Sequence, residues 1–324
     1  MFRSIIKKKR MARKELEETD SRFRENFIQR TLNSLLVGLL IALSYLPFWV
    51  LYRLSDVMYL FIRFIFKYRW KVITTNLRNA FPEKPASEIN RIRSRFYRHF
   101  CDMFFESIKI YSISDKLIER RLLVKGTDAA TDFFDKGRSV VALAMHHNNW
   151  EWTGFAQSKL KHHILNVYNP IRGNNAMENF LLHNRQKWGS TSIPVHKTAR
   201  AIIEYQKKGV LTGLWLAADQ TPPANSKFWT IFLNQETPFY QGPEKIAIST
   251  NQPVFFQHTK KTGRGKYEIE FILLFENPKD ADPDKILMAY VKKTEEIIRS
   301  EPEYYLWSHR RWKHKRPEGI ELKM

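Results

Sequence analysis

Residues 31–52 contain no Asp, Glu, Lys or Arg, an uncharged run of 22 positions rich in Leu, Val and Ile. A bilayer core needs about 20 apolar residues as helix, so the run is long enough to span or to lie in a membrane interface. Pro47 falls near its C-terminal third and predicts a break or kink there, with Tyr45 and Trp49 as interface-type aromatics beside it. A cleavable signal peptide fits poorly. The charged segment ahead is too long, and Tyr45, Pro47 and Trp49 stand where small cleavage-site residues belong. The expected organisation is a basic extension over 1–30, a membrane-anchoring or interfacial segment over 31–68, a catalytic domain over 69–315 and a tail over 316–324.

Charge narrows the partners. Lys and Arg number 54 against 33 Asp and Glu, a net +21, and the first 100 residues alone hold 21 basic against 8 acidic side chains. Basic residues flank the apolar run on both sides, so they do not choose an orientation. They suit an anionic cytoplasmic membrane face. An anionic partner follows: nucleic acid, membrane, acidic protein or phosphorylated substrate. The single cysteine, Cys101, excludes an intramolecular disulfide and any Cys-x-x-Cys site.

Beyond about residue 120, short apolar runs alternate with helical patterns. Strands are expected at 139–145, 164–168, 191–195, 210–217, 228–233, 254–259 and 267–274. Helices are expected at 151–161, 174–188, 198–208, 243–250 and 284–300. That alternation predicts an α/β sandwich around a largely parallel sheet.

The sharpest feature is His146-His147-Asn148-Asn149-Trp150-Glu151-Trp152, which follows the first of those strands. In parallel α/β sheets, ligands bind beyond the carboxyl ends of the strands. On one regular helix His146 and Glu151 would lie about 140° apart. They meet only if His146 is on the loop and Glu151 in the first helical turn. A carboxylate there can hold an imidazole tautomer and stabilise the imidazolium, and helix N-terminal amides can bind an oxyanion. The bland reading is a hydrogen-bonded structural histidine. A metal site is disfavoured, because adjacent histidines point apart and no His-Glu-x-x-His or cysteine cluster is present.

The heptapeptide resembles the H-x4-D/E motif of glycerolipid-type acyltransferases, in the form found in the late acyltransferases of lipid A biosynthesis. Four further blocks follow that family's order: Asn76-Leu-Arg-Asn-Ala-Phe-Pro-Glu83; Tyr168-Asn-Pro-Ile-Arg172 with Arg185 and Gly189; Asp219-Gln220 with Phe232-Leu-Asn234 and Gly242-Pro243; and Trp307-Ser-His-Arg-Arg-Trp312. The likeness covers roughly residues 30–315. Asn169 departs from the family's usual arginine, and Leu233-Asn234 from its Phe-Gly.

The resemblance implies an acyltransferase fold without metal or cofactor. The implied donor is an acyl thioester on acyl carrier protein, and the implied acceptor a phosphorylated glycolipid at the cytoplasmic side of the inner membrane. His146 is then the general base and Glu151 its orienting carboxylate. Arg172, Arg185, Arg310 and Arg311 bind phosphate or the carrier protein. Asp219, Gln220 and Gly242 contribute to the substrate site, and the Trp150/Trp152 pair either lines the acyl channel or belongs to the core, with core favoured for one of the two. Each of these arginines has a solvated-surface reading, Asp219 a turn reading and Gly242 a backbone-geometry reading. Two alternatives stay open: the same transfer to a lysophospholipid, ornithine lipid or other glycolipid, and a non-enzymatic basic membrane protein. No zinc-finger spacing, RNP-type motif or Gly-rich phosphate loop supports a nucleic-acid partner.

Overall fold

The computed structural model describes residues 25–324, so most of the expected basic extension, including the run at 7–10, lies outside the described residues. The strands are β1 (Leu122–Lys125), β2 (Val140–Ala144), β3 (His163–Tyr168), β4 (Thr191–Pro194), β5 (Thr212–Ala217), β6 (Trp229–Phe232), β7 (Gln235–Pro238), β8 (Val254–Gly263), β9 (Lys266–Phe275) and β10 (Leu322–Lys323). Seven form the main sheet in the order β1-β9-β8-β2-β5-β3-β4. The block from β8 to β4 is parallel throughout, while β9 runs antiparallel to β8 and pairs in parallel with β1.

The helices are α1 (Phe27–Ser44), α2 (Phe48–Leu60), α3 (Trp70–Ala80), α4 (Ala86–Lys109), α5 (Asp115–Glu119), α6 (Thr127–Asp135), α7 (Thr153–Gln157), α8 (Asn175–Gln186), α9 (Thr198–Lys207), α10 (Pro243–Thr250) and α11 (Pro283–Ser300). They cover both faces of the sheet. β2 is central and wholly buried, which is why its sequence is a continuous apolar run rather than an alternating one. Val141 and Leu143 join the core made with α3, α4, α10 and α11. Val140 and Ala142 join the opposite core, with Phe133 of α6 and Phe155 of α7. The expected α/β sandwich is the observed one.

The break expected at Pro47 in the uncharged run is observed, and two other expectations change. Tyr45 and Leu46 turn the chain, and Pro47, with no N–H to donate, opens α2. The run at 228–233 shortens to β6 and enters a separate three-stranded sheet, β10-β6-β7. The expected tail supplies β10 to that sheet, and Arg316 pairs with Glu236.

Facing outward on α1 are Ile28, Leu32, Leu35, Leu36 and Leu39, all 45% exposed or more. Their spacing makes one apolar helical stripe. Trp49 and Val57 of α2 and Phe61, Phe64 and Ile65 of the π-helical turn beyond it (Phe61–Ile65) extend the exposed apolar surface. The elbow between α1 and α2 is fixed to the domain. Buried Lys109 of α4 donates to the carbonyls of Ser44, at 2.7 Å, and Leu46, at 3.0 Å, satisfying acceptors left free at the helix end.

Candidate active site

Register explains the heart of the site. β2 and β5 are parallel neighbours with Ala144 opposite Ala217. Two residues beyond each strand end stand His146 and Asp219, side by side. Asp219 Oδ1 lies 2.8 Å from His146 Nδ1, and Asp219 Oδ2 accepts the His146 backbone N–H at 3.0 Å. The amide of Gln220 lies 3.0 Å from His146 Nε2. With Nδ1–H donating to the carboxylate, Nε2 carries the lone pair and accepts from Gln220.

Asp219 is 1% exposed. Burial alone raises a carboxyl's pKa, but the His146 ring and its backbone N–H outweigh that and hold Asp219 below the ordinary carboxylate range. Beyond Asp219, buried Tyr290 donates to the Ala144 carbonyl, and buried Tyr305 and Arg311 complete the surroundings.

Glu151 sits elsewhere than expected. His146 is on the loop and Glu151 in the 3-10 turn Trp150–Trp152, as the spacing requires, but the imidazole's hydrogen bond goes to Asp219. Glu151 is held by Arg185 of α8 through two bonds, Nε to Oε2 at 3.1 Å and Nη2 to Oε1 at 2.7 Å. Burial pushes the Glu151 carboxyl up, Arg185 pulls it down further, and the result lies below the ordinary value. One of the helix-end amides expected for an oxyanion is already taken. The Trp152 N–H is capped by Asn149 Oδ1 at 3.3 Å, and α7, which follows, has only five residues.

His146, Trp150, Glu151, Arg185 and Gln220 all line one cavity of about 780 Å³. Tyr168 at the end of β3, Asn169 just beyond it and Trp215 of β5 add to it, and Thr221, Pro222, Pro223, Tyr240, Lys313 and His314 complete much of the rest. Of the Trp150/Trp152 pair, Trp150 is thus the lining member. Trp152 is fully buried, with its indole N–H on the Glu106 carbonyl.

The remaining expected residues scatter. Arg172 is exposed on the loop after β3 and does not line the cavity. Gly242 starts α10 with its backbone extended. A Cβ there would come within 2.8 Å of the Tyr240 ring, so it serves a close approach one step from the cavity. Arg310 is exposed. Arg311, expected on substrate, is 1% exposed, donates to the Pro238 carbonyl at 2.6 Å and lies over the Phe239 ring. It is a buried member of the C-terminal segment.

That segment straps both loops of the candidate site, those after β2 and β5, which single-residue reasoning missed. Leu306 N–H donates to the His146 carbonyl and Asn148 N–H to that of Tyr304. On the other loop, His309 Nε2 accepts from the Thr221 backbone at 3.2 Å, while Thr221 Oγ donates to the carbonyls of Arg310 and Arg311. Burial lowers His309 to about 4, which keeps that acceptor nitrogen unprotonated. Buried Glu106 of α4 was also missed. It accepts from Asn149, Tyr52 and Tyr267, and burial raises its pKa. A signal was available: Asp102 and Glu106 are two carboxylates four apart among Met103, Phe105 and Ile108, on the apolar side of a helix. Asn148 turns the chain at φ 55°, a left-handed conformation that asparagine tolerates.

The bacterial lipid A biosynthesis acyltransferase family matches residues 20–314. The lipid A biosynthesis lauroyltransferase of Escherichia coli (strain K12) is 27% identical over 292 residues, covering 88% of this chain and 92% of that protein. The crystal structure of a 1-acyl-sn-glycerophosphate acyltransferase from Thermotoga maritima aligns with 79% of this chain and 97% of its own, at 15% identity and a TM-score of 0.35.

Proposed function

Because this chain belongs to the bacterial lipid A biosynthesis acyltransferase family, we propose that it moves a fatty acyl group from an acyl carrier protein thioester to a hydroxyl of a lipid A precursor. Acyl transfer in lipid A biosynthesis is the family's work. The donor, the hydroxyl acceptor and the residue roles are our reading. The observation that carries it is His146, oriented by Asp219 at Nδ1 and facing a 780 Å³ cavity.

In this mechanism His146 Nε2 leaves Gln220 and takes the proton of the acceptor hydroxyl. The hydroxyl oxygen attacks the thioester carbonyl, and the Asp219 carboxylate stabilises the imidazolium that forms. The tetrahedral intermediate collapses with cleavage of the C–S bond, and the thiolate recovers the proton from His146. An ester and a free thiol result, with no covalent enzyme intermediate. Arg185, locked by Glu151 at the cavity wall, supplies positive charge for the oxyanion. Gln220 holds the imidazole until the hydroxyl arrives.

The apolar stripe of α1 and the exposed aromatics after α2 support attachment to a membrane, which in our reading is the inner membrane, with the cavity on its cytoplasmic side. At 18 residues α1 is about 27 Å long, enough to cross most of a hydrocarbon core. The direct test is mass spectrometry of lipid A from cells with and without the protein, together with transfer assays on purified enzyme. One added acyl chain that disappears with His146→Ala supports the reading. Unaltered lipid A in the deletion strain rejects it.

A further inference from the structure

The C-terminal strap has two faces. Trp307, His309 and Arg311 turn inward to the core and the catalytic loops. The other face carries Arg310, Lys313 and Lys315, all exposed. Residues 310–316 contain five Lys or Arg and no Asp or Glu. Arg311 is buried, and Arg316 is engaged by Glu236. Among the described residues, Arg310, Lys313 and Lys315 form no ion pair. These three cations therefore point into solvent beside the cavity, whose rim includes Lys313 and His314.

The cavity lining divides between two sets of elements. Arg185 comes from α8, and α8 packs against α1, with Asn174 donating to Asn33 at 3.2 Å. That part of the rim adjoins the apolar helix, where a lipid acceptor arrives. The strap builds another part with Pro222 and Pro223. No large apolar residue within 305–316 is exposed, whereas α1, α2 and the turn after them expose many. A surface that enters a bilayer combines cations with apolar anchors. A surface with exposed cations and no exposed apolar anchors suits an acidic soluble partner, which it steers over a distance of about a Debye length.

We propose that Arg310, Lys313 and Lys315 form the docking surface for the acidic carrier protein that brings the acyl thioester, and that the acyl arm enters between the strap and Pro222-Pro223. This rests on the reading of the donor given above. The test compares full-length enzyme in detergent micelles with two donors bearing the same chain, dodecanoyl acyl carrier protein and dodecanoyl pantetheine. The variant is Arg310→Glu with Lys315→Glu. Both residues are exposed and outside the cavity lining, and unchanged melting confirms the fold. The KM for the carrier-bound donor should rise about tenfold, the scale of two reversed rim charges, with kcat and the pantetheine reaction unchanged. The salt dependence of kcat/KM should flatten with the carrier donor only. A wild-type enzyme that prefers the carrier, paired with a variant whose carrier KM is unmoved, overturns the docking surface and leaves the donor reading intact. A wild-type enzyme indifferent to the carrier overturns both. A rise in KM for the lipid acceptor instead assigns these cations to acceptor phosphates and overturns the proposal.

Discussion

Asp219 grips His146 at two points, the ring nitrogen at 2.8 Å through one carboxylate oxygen and the backbone N–H at 3.0 Å through the other. The carboxylate therefore sets both the tautomer of the imidazole and the path of the loop that carries it. Asp219→Asn keeps the size but can present its amide nitrogen to Nδ1, favouring the wrong tautomer. We expect kcat to fall about 10³- to 10⁴-fold with little change in KM. Single-turnover kinetics on folded protein check this, and near-normal turnover would remove Asp219 from the mechanism.

Glu151 and Arg185 should behave as a unit. Arg185→Ala removes the guanidinium from the cavity wall beside Glu151 and leaves a largely buried carboxylate without its ion-pair partner, so kcat should drop about 10²-fold or more. Arg185→Lys should rescue poorly, because an ammonium cannot reproduce the two-bond fork. In a double-mutant cycle with Glu151→Gln, additive losses would show that the pair does not act together.

Arg310 and Arg311 are neighbours with opposite fates. Arg311→Met removes the bond to Pro238 and the stacking on Phe239. Melting temperature and activity should fall together, with donor salt dependence unchanged. Arg310→Ala should leave melting unchanged. Differential scanning fluorimetry on both variants decides the point, and equal destabilisation would contradict the buried placement of Arg311.

Glu106 gives a pH signature. Its folded pKa lies above the ordinary 4.5 because burial penalises the charge. A group raised on folding contributes its stability fully below the unfolded value and loses it as pH climbs through the folded one. The wild type should thus lose melting temperature relative to Glu106→Gln as pH rises above the ordinary carboxyl value of 4.5. Parallel curves for the two proteins over that range would contradict the assignment.

Leu35→Lys with Leu39→Lys places two charges on the exposed stripe of α1 at about 2.5 kcal/mol or more each in a bilayer core. Both side chains face outward, so the domain should fold normally while the protein moves toward the soluble fraction. Unchanged sedimentation with liposomes would show that α1 is not the anchor.

Much of this was legible in the sequence, and the exceptions share a cause. The strands that became β2, β3 and β5 announce themselves because a buried parallel sheet demands continuous apolar runs, while β8 opens on a buried apolar run and β9, antiparallel to it, alternates between buried and more exposed positions over its first half. The loop after β2 is legible because polar residues cluster where such a run stops. The partner of His146 was misassigned to Glu151 because spacing within a heptapeptide says nothing about which strand lies beside β2. Asp219 is 73 residues away, and only the pairing of β2 with β5 brings it there. Arg311 looked like a surface cation because burial depends on the strap crossing both loops. β1, β7 and β10 are four residues or fewer, too short to show a period. Pro47 did mark the break in the apolar run correctly, since its consequence is local.

One end of α4 grips the elbow between α1 and α2 through Lys109, and one turn earlier Glu106 grips Asn149 in the loop that carries His146. A single helix thereby ties the apolar elbow to the loop that carries His146. On the proposed function, with α1 seated in a bilayer, that tie would hold the imidazole at one height above the lipid. The acceptor would then have to rise to it, and hydroxyls would be sorted by depth: those standing at that level within reach, chemically identical ones buried lower not.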